Sequence, residues 1–344
     1  MLKTFFISSA ALICIACPSQ AQEQTVHIGQ VPAIASTATM IAFEKGYFKE
    51  YGIKVEIENL DSSIDALAIV AQNRLQIVEG GLSAAYFNAI AKDLPVTISV
   101  DRVSSPLHHE LIVRADLKDK IKTVADLKGR SLASNSRGSV TNYEIGKILE
   151  TAGLTFKDAE LKFIPFPQVA VAFANKAVDA AFLIPPFASQ YVDRGLGFSF
   201  ADAEDFIKAK PMTIAVNFIN TDWAAKNDAL VKNYYLAYMR GVREYCQAYH
   251  GGANRAEVID ILMRTGVERR RELIDKYPWT ARSPQGHINV DSMLDIERFF
   301  VKEGLSLKEF PAERLVTSTY VDYANQKLGP FVLENKDSAL AGCR

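Results

Sequence analysis

The sequence is poor in the residues that mark several large classes of protein. It has four cysteines, two tryptophans and five histidines in 344 residues, and its 39 basic residues are matched by 40 acidic ones. So little cysteine excludes a disulfide-dense scaffold, and the balanced charge argues against a nucleic-acid surface. With 49% hydrophobic and 23% charged residues, the composition is that of a globular chain large enough for two cores. The expected partner is a small molecule.

The N-terminal segment differs in kind from the rest of the chain. Lys3 precedes an apolar stretch, Phe5 to Ala16, that is too short to span a bilayer comfortably, and Ser19-Gln20-Ala21 supplies the small residues that a signal peptidase reads. Residues 1–21 are therefore predicted to be a cleavable signal peptide, and the mature protein is predicted to lie in the periplasm. The alternative is a lipoprotein anchored at Cys17, and both alternatives place the protein outside the cytoplasm.

Removal of this leader leaves two cysteines, Cys246 and Cys343. An oxidising compartment would permit one disulfide between them, but a chain of this length does not need one and Cys343 lies near the C-terminus. Free cysteines are the preferred interpretation, and the sequence leaves the pairing open.

Short β-rich runs alternate with helical patterns, which predicts parallel sheets covered by helices and an α/β fold. A first series includes the helix Thr37 to Tyr51, and a second begins after Arg114. No Gly-, Ser- or Pro-rich linker separates the two, so two lobes joined by short crossings are expected. The last third is helical, with a helix from about Asp228 to Tyr249 whose aromatic stripe is expected to be core.

Two hydroxyl-rich turns precede predicted helices. Ser36 and Thr37 follow the first strand, and a second turn crowds Ser136, Arg137, Gly138 and Ser139 at the start of a helix. Ordinary helix capping explains one hydroxyl at each turn. The excess in the second turn, with free backbone N–H groups and the helix dipole, favours contact with an anionic ligand, and Arg137 is either a contact or a rim residue.

The run Gly80-Gly81-Leu82-Ser83-Ala84 imitates the nucleophile elbow of a hydrolase. No acid and histidine follow in suggestive loops, so a catalytic triad is not expected. The preferred interpretation is a glycine turn, in which Gly81 and Ser83 form part of a ligand cleft.

Arg102, on the predicted crossing strand, could pair with Asp101 or with a bound carboxylate or sulfonate. His108 and Glu110 would share one face of a strand with His109 opposite, which is too little for a metal site. His108 is therefore expected at the cleft edge as a hydrogen-bonding residue. We expect neither a metal nor a cofactor.

Two further places carry proline or aromatic residues. Pro185 in Pro185-Pro186-Phe187 ends a predicted strand and starts a helix. Tyr277-Pro278-Trp279 is expected to be an exposed loop, in which Trp279 either stacks on a planar ligand or covers the core.

Several of these segments together resemble the periplasmic solute-binding proteins of ABC importers for nitrate, sulfonate, taurine or thiamine precursors (NMT1/THI5-like). The matching segments are Gly46-Tyr47-Phe48, Gly52-Ile53-Lys54-Val55-Glu56, Leu94-Pro95-Val96, Val124-Ala125-Asp126-Leu127-Lys128-Gly129-Arg130, Gly138-Ser139, Ala152-Gly153-Leu154 and Val178-Asp179-Ala180-Ala181.

This resemblance implies a type II periplasmic binding protein fold, in which two β/α lobes close by a hinge on a ligand. Lobe I would comprise residues 22–113 and 219–344, and lobe II residues 114–218, with crossings near Arg114 and Phe218. It also implies a binding protein and not an enzyme, expected to be a monomer, whose partners are a small-molecule ligand and a permease of the inner membrane.

The ligand class is less constrained. Hydroxyl-rich turns with Arg102 and Arg137 favour an organic anion, a sulfonate or carboxylate, with apolar residues around a body that could be aromatic. The alternative is a pyrimidine thiamine precursor whose amine is bound by Glu79 or Glu110. A secreted hydrolase and an extracellular sensor are the other classes considered.

Overall fold

The computed structural model describes residues 23–60, 63–266 and 268–344. The predicted signal peptide, with its alternative lipidation site at Cys17, lies outside the described residues. Within those residues no helix is both long enough and apolar enough to cross a membrane.

The described residues form ten strands and thirteen α-helices. The strands are β1 (Gln24–Gln30), β2 (Ile53–Asn59), β3 (Ile77–Gly81), β4 (Val96–Ser104), β5 (Glu110–Arg114), β6 (Ser131–Ser134), β7 (Glu160–Phe163), β8 (Ala180–Leu183), β9 (Gly197–Asp202) and β10 (Thr213–Asn220). The helices are α1 (Thr37–Glu44), α2 (Tyr47–Glu50), α3 (Ser63–Ala71), α4 (Ala84–Ala91), α5 (Val140–Glu150), α6 (Val169–Ala174), α7 (Phe187–Asp193), α8 (Thr221–Lys226), α9 (Asp228–Tyr249), α10 (Arg255–Arg264), α11 (Arg271–Lys276), α12 (Val290–Lys302) and α13 (Thr319–Leu328).

These strands form two five-stranded sheets of the same design. The first has the order β2-β1-β3-β10-β4 and the second β7-β6-β8-β5-β9. In each sheet the fourth strand, β10 or β5, runs antiparallel to both of its neighbours, while the first three are parallel. Each antiparallel strand is the one that enters its sheet directly after the chain has crossed from the other sheet. The predicted α/β architecture of two sheets covered by helices is confirmed, although each sheet is mixed and not wholly parallel.

The crossings fall earlier in the chain than the sequence suggested. Strand β5 belongs to the second sheet and the whole of β10 to the first, so the chain crosses in residues 105–109 and 203–212. The expected boundaries near Arg114 and Phe218 each assign a strand to the wrong sheet. Both strands are short apolar runs, and such a run does not reveal on which sheet its hydrogen-bonding partners lie.

Strands β2 and β10 of the first sheet differ in burial. Edge strand β2 buries Ile53 and Val55 while Lys54 and Glu56 face solvent, whereas every residue of the inner strand β10 is buried. This alternation is expected when one face of an edge strand packs on the core.

The long helix α9 closes the first lobe from outside the sheet. It packs against α1 and α13, and the aromatic stripe of the sequence, Tyr234 and Tyr238 with their neighbours, is fully buried. The prediction that this stripe is core is confirmed.

Candidate ligand-binding cleft

A cavity of about 720 Å³ opens between the two sheets. Most of its lining is apolar. The first-lobe wall includes Val31, Pro32, Leu60, Val103, Ile214 and Ala215. The second-lobe wall includes Val140, Pro165, Phe166, Ile184, Pro185 and Phe187. A volume of this size suits a small organic molecule, because ligand pockets commonly measure about 300–1,000 Å³.

The cavity lies where the topology predicts a site. Its turns follow the carboxyl ends of β1, β3, β6 and β8, which are parallel strands of the two sheets. Open α/β sheets bind ligands at this end, where turns and helix N-termini present backbone N–H groups. Val140 and Thr141 open α5 and line the cavity, and the first amides of a helix have no acceptor within the helix.

A buried ion pair forms the polar part of the first-lobe wall. Arg102 Nη2 lies 2.8 Å from Glu79 Oε2, and the two side chains are 3% and 0% exposed. Arg102 Nη2 also donates to Ser36 Oγ (3.3 Å), and Thr39 donates to Glu79 Oε1. Both members of the pair line the cavity, while Arg102 Nε has no hydrogen-bond acceptor among the described residues. Burial raises the pKa of Glu79, and the guanidinium of Arg102 opposes that rise.

A local irregularity of the sheet directs Arg102. Asp101 pairs with Val216 and Val103 pairs with Ala215, so Arg102 is the extra residue of a β-bulge in β4. Such a bulge re-aims a side chain and is common next to binding sites.

Behind this pair lies a second set of buried charges. Arg282 donates to the carbonyls of Ile34 and Ala35 (3.4 and 3.3 Å) and stacks over the Tyr245 ring, 3.7 Å from its centroid. Asp101 accepts from the Ser283 backbone N–H (3.0 Å), and burial raises its pKa to about 6. Arg282 thereby holds the turn that follows β1 against the cavity.

The second-lobe wall carries a different pair. His109 Nδ1 lies 2.9 Å from Glu144 Oε1, and these side chains are 6% and 0% exposed. His109 lines the cavity, so its Nε2 is the ring nitrogen left for a ligand. Burial raises the pKa of Glu144, and the neighbouring His109 opposes that rise.

The hydroxyl-rich turn before α5 satisfies much of its hydrogen bonding internally. Thr141 Oγ1 lies 2.6 Å from Ser134 Oγ and 2.7 Å from Ser139 Oγ, and it donates to Asn135 Oδ1 (2.7 Å). Only Asn135 and Thr141 of this cluster line the cavity. The excess of hydroxyls that suggested a ligand site is therefore largely a network that rigidifies the turn.

The two walls touch directly beside the cavity. Ala84 N–H donates to Gly138 C=O (2.8 Å), and Ser83 and Ser139 form an isolated β-bridge. Gly138 has φ +71°, and a Cβ at this position would lie 3.1 Å from the Ala84 Cβ. A glycine is needed here because the backbone is left-handed and the opposite wall is close. The structure is thus a closed form of the cleft.

The residues predicted from the sequence fall into three groups. Gly81, Arg102 and Pro185 line the cavity. Residues of the second group stand beside it, at the Arg102 pair or at the junction of the walls: Ser36, Ser83, Ser136, Gly138 and Ser139. The third group, described next, lies away from it.

Four predicted residues do not reach the cavity. Thr37 is buried, and its hydroxyl donates to the Ile34 carbonyl (2.6 Å), which is a local helix-start contact. Arg137 is exposed at the rim. His108 has φ +55° in the crossing loop, so the strand alternation that selected it does not apply, and His109 faces the cavity instead.

Trp279, the fourth, is a core residue. It is 3% exposed, stacks on Tyr245 and donates from Nε1 to the Ile274 carbonyl (2.9 Å). Of the two alternatives for Trp279, the structure agrees with the one in which it covers the core; the loop is not exposed, because it packs onto α9.

The sequence analysis passed over several polar lining residues. Thr280 lines the cavity, and its hydroxyl has no hydrogen-bond partner within the described residues; Gln168 lies in the second-lobe wall. No sequence pattern marked either one. Among the described residues, no group of three or more potential ligands could hold a metal ion.

Two lobes of this topology around a closed interlobe cleft define the class of type II periplasmic binding folds. One solved structure of this class is the alkanesulfonate-binding protein SsuA from Xanthomonas axonopodis pv. citri, bound to MOPS. It is 16% identical, with a TM-score of 0.71 over 87% of this chain and 99% of that chain. The desulfurization enzyme DSZB is also similar, at 13% identity and a TM-score of 0.63 over 89% of this chain and 100% of that chain. The fold therefore occurs in both binding proteins and an enzyme.

Within this class, the chain belongs to the NMT1-like family, which it matches over residues 19–263. A curated relative is the nitrate/nitrite binding protein NrtA of Synechococcus elongatus, 25% identical over 242 residues, which are 64% of this chain and 53% of the relative. The chain thus spans about half the length of that relative.

Proposed function

We propose that this protein is the extracytoplasmic solute-binding component of an ABC importer and that it captures a small organic anion, a sulfonate or carboxylate, by closure of its lobes. The observation that carries the ligand class is Arg102, a buried guanidinium in the cavity wall whose Nε has no acceptor in the part of the chain that the structure describes. A buried donor without an acceptor costs about 1–3 kcal/mol, and a ligand carboxylate or sulfonate would remove that cost.

The remaining lining supports an organic ligand over a bare inorganic ion. The cavity is far larger than nitrate, and both walls are mainly aliphatic or aromatic around the polar groups. Phe166 and Phe187 stack with centroids 5.7 Å apart in the second-lobe wall and would contact the ligand's apolar body. The hydroxyl of Thr280 and the first amides of α5 are further donors.

Closure has a structural basis in contacts between the lobes. Besides the junction at Gly138, Tyr143 of α5 donates to Asp295 of α12 (2.7 Å), and Lys276 of α11 pairs with Asp193 of α7 (3.0 Å). A ligand that contacts both walls would favour this closed form, and the permease would recognise it.

One observation favours a second ligand class. Glu79 lines the cavity beside Arg102, and its Oε2, which lies 2.8 Å from Arg102 Nη2, has no other donor among the described residues. An amino group on a pyrimidine-type thiamine precursor could donate to this oxygen while the ring packs against the aromatic wall.

A hydrolase is disfavoured by the surroundings of Ser83. Its hydroxyl is buried without a hydrogen-bond partner among the described residues, so no general base contacts it. A nucleophilic serine needs a base within hydrogen-bonding reach. We therefore expect stoichiometric binding without turnover.

The test is a thermal-shift screen of ligand-stripped protein with alkanesulfonates, aromatic carboxylates, nitrate, bicarbonate and pyrimidine thiamine precursors. A ligand at a hundredfold excess over its Kd adds about 2.7 kcal/mol of stability, which raises Tm by several degrees. A shift confined to organic anions supports the proposal, and the absence of a shift with every compound would contradict both ligand classes.

Two matched variants separate the ligand classes. Arg102→Lys keeps the charge of the pair but loses the forked guanidinium, so it should abolish most of the shift from an anion. Glu79→Gln removes the acceptor charge, so it should abolish the shift from an amine and preserve the shift from an anion.

A further inference from the structure

The chain ends in a segment that is fastened along α9. We call residues 329–344 the C-terminal strap. Its first half is held by side chains of the last turns of α9: Gln247 donates to Val332 C=O (2.8 Å) and accepts from Glu334 N–H (3.0 Å). Asn335 donates in turn to the His250 carbonyl (2.7 Å). This segment has no helix or strand of its own, so these contacts determine its path.

The last residues of the strap contact Tyr249 and His250 at the end of α9. Tyr249 donates to Ala341 C=O (2.9 Å), and the His250 ring contacts Gly342 C=O through Nε2 (3.0 Å) and Ser338 Oγ through Nδ1 (2.8 Å). Gly342 has φ +78° and no space for a side chain, since a Cβ there would lie 2.3 Å from the Ala281 Cβ. The path of the strap at its end is therefore defined from both sides.

This path brings the strap's cysteine onto α9. Cys343 follows Gly342, and Cys246 stands on α9 one turn before His250, so the contact between His250 and Gly342 brings the two cysteines to the same end of α9. Cys246 is 0% exposed and Cys343 2% exposed, in the same apolar cluster. The two thiols are within hydrogen-bonding reach of each other.

We propose that Cys246 and Cys343 form a disulfide in the exported protein and that this bond locks the C-terminal strap onto α9. The proposal rests on the export proposed above, because the bond needs an oxidising compartment. It does not rest on the identity of the ligand.

The oxidant is a disulfide, either that of a thiol–disulfide oxidoreductase or oxidised glutathione. One cysteine thiolate attacks this disulfide, forms a mixed disulfide and releases one thiolate. The second cysteine then attacks the mixed disulfide, forms the Cys246–Cys343 bond and releases the other thiolate. The two protein thiols lose two protons and two electrons, and the oxidant becomes two thiols.

Burial determines when this exchange can occur. The apolar surroundings raise the pKa of the Cys246 thiol, so little of the nucleophilic thiolate forms while the strap is docked. Exchange is therefore expected while the strap is undocked, during folding. Once the bond has formed, the same burial shields it from reductants.

A metal site does not fit these cysteines. Among the described residues no third ligand joins them, and both ring nitrogens of the nearby His250 are already hydrogen-bonded. Two thiolates alone are too few for a structural zinc site, which takes four ligands.

The first experiment is a peptide map of protein exported by a bacterial host and trapped with iodoacetamide under denaturing conditions, without reductant. The expected result is one disulfide-linked peptide pair that contains Cys246 and Cys343, with neither cysteine alkylated. Refolding of the reduced, denatured protein in the presence of oxidised glutathione should yield the same pair. Alkylated cysteines after export, or two separate glutathione adducts in vitro, would overturn the proposal.

The second experiment compares the Tm of the oxidised protein with the Tm of protein that has been reduced in denaturant and refolded in dithiothreitol, so that burial cannot protect the bond. A bond between residues about 100 apart restricts the unfolded chain strongly, so reduction should lower Tm by roughly 5 °C. Cys343→Ser and Cys246→Ser should have the Tm of the reduced wild type, and the reductant should not change it. A wild-type Tm that does not respond to reductant would contradict a stabilising disulfide.

A failure here and a failure of the proposed function are distinguishable. In Cys343→Ser the Tm increase caused by a ligand should persist, since neither cysteine lines the cavity. Free thiols with intact ligand binding would overturn the disulfide alone.

Discussion

The two walls of the cleft are built on sheets of the same design but carry different sets of polar groups. The first-lobe wall presents a buried ion pair, Glu79 with Arg102, backed by Asp101 and Arg282. The second-lobe wall presents a hydroxyl network at the start of α5 and a single acid, Glu144, held by His109. The shared sheet topology therefore positions the two walls, whereas a few side chains determine what each wall recognises.

This difference assigns separate tasks to the walls. Charged groups buried in a low-dielectric site discriminate strongly between ligands, since an unpaired charge there is costly. Neutral hydroxyls that bond one another mainly fix the shape of a turn. We therefore expect the first-lobe wall to select the ligand and the second-lobe wall to shape the closed cleft.

The largest effect is expected from removal of the cation of the first wall. Arg102→Met leaves Glu79 buried without its partner, which should lower the free energy of unfolding by about 3–5 kcal/mol at pH 8, measured by urea denaturation. At pH 5 the loss should be smaller, because burial raises the pKa of Glu79 and protonation removes its charge.

The control is the double variant with Glu79→Gln, in which no charge remains to be paired. The free energy of unfolding should return toward the wild-type value, and its change with pH should no longer include a contribution from Glu79. A single variant as stable as the double variant would show that the pair contributes nothing.

A smaller, pH-dependent effect is expected in the second wall. His109→Ala leaves Glu144 buried, with a pKa above its ordinary value. The unfolded chain then releases the Glu144 proton at lower pH than the folded chain does, so stability must fall as the pH rises from about 4.5, by at most about 1.4 kcal/mol per pH unit. Thermal unfolding between pH 4.5 and 8 measures the slope.

Addition of Glu144→Gln should remove this contribution to the slope, because an amide does not titrate. An unchanged slope in the double variant would assign the pH dependence to other groups, such as Asp101, whose pKa burial raises to about 6.

The junction of the walls is expected to respond to a single methyl group. Gly138→Ala places a side chain at φ +71°, which costs about 1–2 kcal/mol, and sets it against Ala84. Closure should be disfavoured, so ligand affinity by calorimetry should fall about tenfold. The matched control is Gly153→Ala, with φ +68° but open space around the added methyl. Equal affinity losses in both variants would contradict a role for wall contact.

These comparisons also show what the sequence could reveal. The alternation of strands and helices predicted two α/β lobes, because it depends on local sequence periodicity. The resemblance, which depends on short motifs, predicted the fold. The sequence predicts Gly81 and Pro185 at the cavity because turns that follow parallel strands converge, and it predicts Arg102 there from its place on the crossing strand. The crossings were misplaced, since the sheet that receives β5 or β10 depends on pairing between residues far apart in sequence.

The errors at the site have one physical cause. A regular strand predicts His108 at the cleft and His109 opposite, but φ +55° at His108 breaks the alternation. The sequence predicts ligand donors among the hydroxyls before α5, whereas in the structure Thr141 contacts both Ser134 and Ser139. Side-chain partners are a property of three-dimensional packing, and one sequence does not specify them.

The smallest effect is expected at Arg137, the charged residue of the second-lobe turn. It is exposed and does not line the cavity, so Arg137→Ala should change the free energy of unfolding by less than about 0.5 kcal/mol and ligand affinity by less than about twofold. If it acts as a distant positive charge, it should change only the association rate at low salt, because exposed charges are screened beyond about 10 Å at 0.1 M ionic strength. Stopped-flow binding at two salt concentrations tests this. A large loss of affinity at high salt would show that the second-lobe wall also recognises the charge of the ligand. It would contradict the assignment of ligand selection to the first-lobe wall alone.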